Sequence, residues 1–128
     1  MNDLIIVMPG DPRTKKNSLT IKYNRRTGRK YIAPSDAFLL YQRKCSQYLL
    51  PMGQILINKP INMKCVYYMK TRHKVDLGNL INATCDILVH YKIIEDDNSN
   101  IVIAHDGSRV FYDKINPRVE ITISDLVE

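Results

Sequence analysis

Apolar residues recur along this chain at two spacings, and the switches between them predict its elements. Residues 4–8 (Leu4-Ile5-Ile6-Val7-Met8) form a short apolar run that reads as a buried strand, broken by Pro9-Gly10-Asp11-Pro12. Residues 17–23 and 29–32 read as a hairpin around Arg25-Arg26-Thr27-Gly28, where Gly28 can take a positive φ. Ser35 or Asp36 can then cap a helix running to about Leu50. Phe38, Leu39, Tyr41, Cys45, Tyr48 and Leu49 give it one apolar face, and Pro51 ends it. From Ile61 the period changes to two: Ile61, Met63, Cys65, Tyr67 and Met69 alternate with more polar positions, as in a strand with one buried face. Leu77, Leu80, Ile81, Thr84, Ile87, Leu88 and Tyr91 return to intervals of three and four, which predicts a helix over 77–91 with Asp76 near its N-cap. Residues 92–98 form a tight acidic connection and 101–104 a strand. Gly107 marks a turn or bulge, 109–112 return as a further strand, and Val119, Ile121 and Ile123 alternate in the last one. The order βββαβαβββ predicts one α+β domain over residues 1–128, a mixed β-sheet with two main helices packed on it.

Composition narrows the class. The chain is 45% hydrophobic and 25% charged, as in an ordinary globular protein. No apolar run approaches the roughly 20 residues needed to cross a bilayer. The first residues show no basic n-region and no small-residue cleavage site, so the expected location is the cytoplasm. Cys45, Cys65 and Cys85 are odd in number and lack metal-type spacing; they read as small buried hydrophobes in a reducing compartment.

Charge changes the picture further. Nineteen Lys and Arg against thirteen Asp and Glu give a formal net charge of +6. An excess of that size favours a polyanionic partner through counterion release. The basic residues cluster: Arg13, Lys15 and Lys16, then Arg25, Arg26, Arg29 and Lys30, then Arg43 and Lys44, then Lys70, Arg72 and Lys74. Five of the thirteen acidic residues lie between Asp76 and Asp97. Clustered cations suit backbone phosphates, and a local acidic knot suits a hard divalent cation held against one of them. Asn79, Asn82 and Asp86 fall three or four apart and share one stripe of the second helix. Asp76 opens that helix, and Glu95-Asp96-Asp97 follow it. If the strand after Asp97 runs back beside the strand that ends at Lys70, the Asp96-Asp97 pair can approach Asp76. Spacing alone also allows a plain helix cap at Asp76 and a solvated acidic turn.

The runs Asp76-Leu77-Gly78-Asn79-Leu80, Asp86-Ile87-Leu88 and Glu95-Asp96-Asp97-Asn98-Ser99 resemble the central signature of the RusA family of Holliday junction resolvases. That signature reads approximately Asp-x-Asp-Asn-Leu, then a helical Lys, a helical Asp and an Asp-Asp pair before a strand. The resemblance implies a homodimeric, Mg²⁺-dependent endonuclease, with Mn²⁺ as a possible substitute, that resolves four-way branched DNA by paired nicks in recombination and repair. By position, Asp76 and Asp97 match catalytic carboxylates, and Asp86 and Asp96 match further acidic positions of the metal site. Arg13, Lys15, Lys16, Arg25, Arg26, Arg72, Lys74, Asn79 and Asn82 are the expected DNA contacts.

Two positions depart from the pattern. The second acidic residue, two after Asp76, is Gly78, and the helical Lys is Asn82. Either Asp86 or Asp96 fills the vacancy, or this branch has altered activity and binds branched DNA without cutting it. Asp86 lies almost three turns beyond Asp76, roughly 15 Å along the axis, so Asp96 is the preferred substitute and joins Asp76 and Asp97 as a catalytic candidate. Other chemistries find little support. His73, His90 and His105 have no zinc-type spacing, and Ser99 and Ser108 have no evident base partner.

Overall fold

The structure, a computed structural model, describes residues 3–15, 19–34 and 36–126. Its elements follow the predicted order: β1 (Leu4–Pro9), β2 (Leu19–Tyr23), β3 (Lys30–Pro34), α1 (Asp36–Leu49), β4 (Ile61–Met69), α2 (Leu77–His90), β5 (Val102–Ala104), β6 (Arg109–Tyr112) and β7 (Arg118–Asp125). The α+β expectation of a mixed sheet with two helices holds. Lys16, Asn17 and Ser35 lie outside the described residues.

The main sheet runs β1-β7-β4-β5, with β6 also paired to β4. β7 is antiparallel to both β1 and β4, whereas β5 and β6 run parallel to β4. Alternation along the three long strands sends Ile6, Met8, Met63, Cys65, Tyr67, Val119, Ile121 and Ile123 to one buried face. The two helices cover that face with Phe38, Tyr41, Cys45 and Leu49 from α1 and Leu80, Ala83, Ile87 and Leu88 from α2. Each fully buried large side chain here is worth about 1.5–3 kcal/mol over its exposed state. Leu39 and Tyr48, expected on the apolar face of α1, are each 38% exposed, because the stripe facing the sheet is narrower than the sequence pattern. The three cysteines are free and buried as expected, and burial pushes the Cys45 thiol up to about 11 and Cys65 up to about 12. The other face of the sheet carries half-buried Lys64, Val66, Tyr68, Glu120 and Thr122, and exposed Ile5 and Val7.

The strand after the acidic turn runs beside β4, the strand that ends near Lys70, as expected. β5 pairs with the beginning of β4, Ile61 with Val102 and Asn62 with Ala104, and β6 takes the far end, Val66 to Met69. Side chains bridge the interruption between β5 and β6. Asn62 exchanges hydrogen bonds with the backbone of Asp106, and the Cys65 amide donates to Ser108 Oγ at 3.0 Å. Gly107 turns this corner at φ +88°, where an added Cβ would sit 2.7 Å from the Lys64 side chain. The left-handed conformation favours glycine there, and any side chain would also have to displace the flexible Lys64 chain.

β2 and β3 form a separate two-stranded ribbon. Its tip is an Asx-type turn: Asn24 Oδ1 accepts from the Arg26 amide at 2.9 Å, and Gly28 adopts φ +69°.

Candidate active site

Helix α2 organises the acidic residues. Asp76 is its N-cap: extended at φ −84°, ψ 118°, with Oδ1 accepting from the Asn79 amide at 3.3 Å. Its side chain is exposed. At the other end the helix closes in a Schellman arrangement. Lys92 takes φ +61°, its amide donates to Val89 O at 3.0 Å, and the Ile93 amide donates to Leu88 O at 2.9 Å. This reversal buries Ile93 and Ile94, and Ile94 bridges to Ile57. The Glu95 amide donates to Ile57 O at 2.9 Å, and the chain then passes back along the flank of α2.

The result is an open cleft lined by Lys15, Gln42, Asp86, His90, Asp96 and Asp97, floored in part by Val89. Lys15 Nζ donates to Asp86 Oδ2 at 3.2 Å. Asp96 is consumed by its own turn: Oδ1 accepts from the Asp97 amide at 2.8 Å and Oδ2 from Asn98 Nδ2 at 2.9 Å. These bonds, that from Asn98 first, hold its carboxyl below the ordinary carboxylate range. Asp97 goes the opposite way. Partial burial raises its carboxyl above the ordinary value, and the neighbouring charges of Asp96 and Asp86 add to the rise. Beneath the cleft, burial pushes the Cys85 thiol well up, with Asp97 and Asp86 contributing, so it stays a neutral thiol.

The acidic residues therefore divide into two positions. Asp86, Asp96 and Asp97 share the cleft, and Asp76 is not among its lining residues. Asp76 and Asp86 are ten positions apart on one rigid helix, roughly 15 Å by helical rise. β5 runs beside β4, as the expected approach to Asp76 requires. The cleft that Asp96 and Asp97 line is shared with Asp86. Among the described residues no group of three or more His, Cys, Asp or Glu is close enough to hold a metal ion as a cage. At Gly78 an added Cβ would lie 3.2 Å from Asp76 Oδ1, so a carboxylate at this position would stand directly beside Asp76.

The expected DNA contacts also separate. Arg13 and Lys74 line one groove, and Arg72 lines the adjoining one. Arg25 and Arg26 are exposed at the ribbon tip, and Asn82 is exposed on α2. Asn79 is half-buried and serves the cap through its backbone amide. Lys15 is engaged by Asp86 rather than standing free. Sequence spacing did not single out Gln42 or Val89, and His90 was considered only for zinc. His90 follows Asp86 by one helical turn, an i,i+4 relation that places both on one face of α2.

Among protein families, the one described as Endodeoxyribonuclease RusA matches residues 9–124, from the end of β1 into β7. No curated protein matches the chain. No helix among the described residues is long and apolar enough to cross a membrane. A match across nearly the whole chain, containing both helices and every carboxylate of the cleft, leaves one assignment: the chain belongs to the RusA endodeoxyribonuclease family.

Proposed function

We propose that this protein is a Mg²⁺-dependent endonuclease that resolves four-way DNA junctions by paired nicks, acting as a homodimer in DNA recombination and repair. The observation that carries the reading is the meeting of Asp86, Asp96 and Asp97 in one cleft of a RusA-family chain, with Asp97 destabilised as an anion by burial and by its neighbours. A junction is nearly two-fold symmetric, and a C2 dimer would present two such sites to it.

The donor set suits Mg²⁺. The ion takes hard oxygen ligands, commonly one or two carboxylates, and completes its shell with water and phosphate oxygens. Asp97 and Asp86 would hold it, with Asp96 fixing the turn that carries Asp97. When bound, the metal supplies charge to a phosphoryl oxygen and lowers the pKa of a bound water. The protein's own part is electrostatic. Asp97 and Asp86 concentrate negative charge where a cation belongs, and Lys15 holds part of that charge until the cation and phosphate arrive. Asp76 keeps its second oxygen available at the mouth of α2. Arg13, Arg72, Lys74, Arg25 and Arg26 would bind backbone phosphates without reading sequence, so affinity falls steeply with salt.

A second reading, a branched-DNA-binding protein that has lost the cutting step, draws on Gly78 and Asn82. Glycine leaves Asp76 without an acidic companion, and Asn82 removes a cation from the stripe leading to Asp86. A synthetic four-way junction incubated with and without Mg²⁺ separates the two. The nuclease reading expects symmetric nicks that need metal and vanish in Asp97→Asn and Asp76→Asn. Junction binding without nicking in either Mg²⁺ or Mn²⁺ would sink it.

A further inference from the structure

β6 is a short edge strand whose four residues are all exposed. Its register with β4 sets Val110 beside Tyr67 and Tyr112 beside Met69. Paired residues of a sheet share a face, so Val110 and Tyr112 lie on the face that carries α2. There they help to line an open groove of about 360 Å³ along the strand edge, together with Phe111, Thr71, Arg72 and His73. That volume lies in the lower range of small-ligand sites. The Arg72 guanidinium lies over the Tyr112 ring, 4.1 Å from its centroid. A second groove continues from the first through Met69, Thr71 and His73, and adds Arg13 and Lys74. The segment that forms its wall runs on directly to Asp76. Among the described residues Arg72 and Lys74 make no ion pair, and Arg13 meets Asp11 only at 4.0 Å.

Solvent-exposed aromatic surface next to exposed cations matches one ligand chemistry closely. Bases stack on aromatic rings and on guanidinium planes whatever their sequence, while neighbouring cations take the phosphates. A fully paired duplex offers no free base face to an edge groove. We propose that the groove at the β6 edge is a seat for one unpaired nucleobase, stacked on the Arg72–Tyr112 pair, with the flanking phosphates running over Lys74 and Arg13 toward Asp76. The seat rests on the branched-DNA reading above and gives it a means of telling an opened branch point from plain duplex.

The test is metal-free binding to three four-way junctions of one sequence. One is fully paired, one carries a single unpaired thymine at the branch point, and one carries an abasic residue in its place. The thymine junction should bind about tenfold more tightly than the other two, the scale of one base stacked on an aromatic ring. Tyr112→Leu keeps apolar bulk at the edge and should erase the difference, whereas Tyr112→Phe should keep it. Arg72→Met, at an exposed position outside the strands, should reduce it about threefold and serves if Tyr112→Leu does not fold. Equal binding of the thymine and abasic junctions would overturn the seat, as would a preference that survives Tyr112→Leu. Loss of the preference in Tyr112→Phe would overturn stacking in favour of a hydroxyl contact. Cleavage plays no part in this readout, so a failure to nick and a failure to seat a base are told apart.

Discussion

Two acidic clusters in this molecule balance their charges differently. At the start of β7, Asp113 and Glu120 flank Arg118, which reaches them at 3.1 and 2.7 Å and stacks over Tyr68 at 3.8 Å. Hydrogen bonds from the Asn116 amide and from Arg118 hold the Asp113 carboxyl below its ordinary range, and Glu120 foremost holds the Arg118 guanidinium above its own. Every charge there has its complement. In the α2 cleft the lysine pairs with Asp86, Asp96 is held by its own turn, and Asp97 is left above its ordinary range. The first cluster satisfies its own charges within the fold. The second keeps a carboxylate whose charged form is disfavoured, a pattern that clusters at functional sites.

This contrast can be broken in order of expected effect. Asp97→Asn should lower junction cleavage by at least about a hundredfold, the scale of losing one preorganised electrostatic contact to a transition state, while metal-free junction binding stays within about twofold, a small change on the affinity scale. Cleavage that persists in Asp97→Asn but disappears in Arg118→Met would reverse the assignment of the two clusters. Next, Lys15→Met removes the cation that Asp86 holds. The Mg²⁺ concentration giving half-maximal cleavage should fall by about threefold, since one competing charge is gone; an unchanged value would show that Lys15 does not stand in for the metal. Arg118→Met should leave cleavage intact and lower the melting temperature by a few degrees, on the order expected for one lost interaction in a domain of this size.

The smallest effect is in the pH dependence of stability. Asp97 has a raised carboxyl, so the native chain holds a proton that the unfolded chain has released just above the ordinary carboxylate range, about pH 4. Its contribution therefore declines as pH rises through that window. Asp113 is lowered, so its contribution is present above the ordinary range and is lost as pH falls below it. Thermal melts between pH 2 and pH 8 should show a shallower decline above pH 4 in Asp97→Asn and a smaller acid loss in Asp113→Asn. Added Mg²⁺ should narrow the gap between Asp97→Asn and the parent above pH 4.

Most of the fold was legible because its signals are local. Apolar periodicity reported both helices and the long strands, and Asp76 and Pro51 marked where helices start and stop. What was not legible depends on contacts between distant segments. Nothing near Ile101 states whether the strand beginning there pairs with Ile61 or with Met69. The turn that carries Asp96 and Asp97 depends on Lys92 in a left-handed conformation, where glycine is the usual signal. The resemblance named the acidic residues, but not their division into a cleft at Asp86 and a cap at Asp76. Tyr112 escaped notice because its partner is Arg72, forty positions away and on no shared element.

The sheet order has a consequence for synthesis. β7 lies between β1 and β4, yet it follows every other described element in sequence. Until it arrives, β1 has no neighbour in the main sheet and β4 is unpaired along its β7 side. Contacts of such long sequence separation form late and slowly. The nascent chain therefore cannot assemble this core, or set α2 on a finished sheet, before translation passes Asp125, so the residues of the cleft are made well before the sheet that positions them.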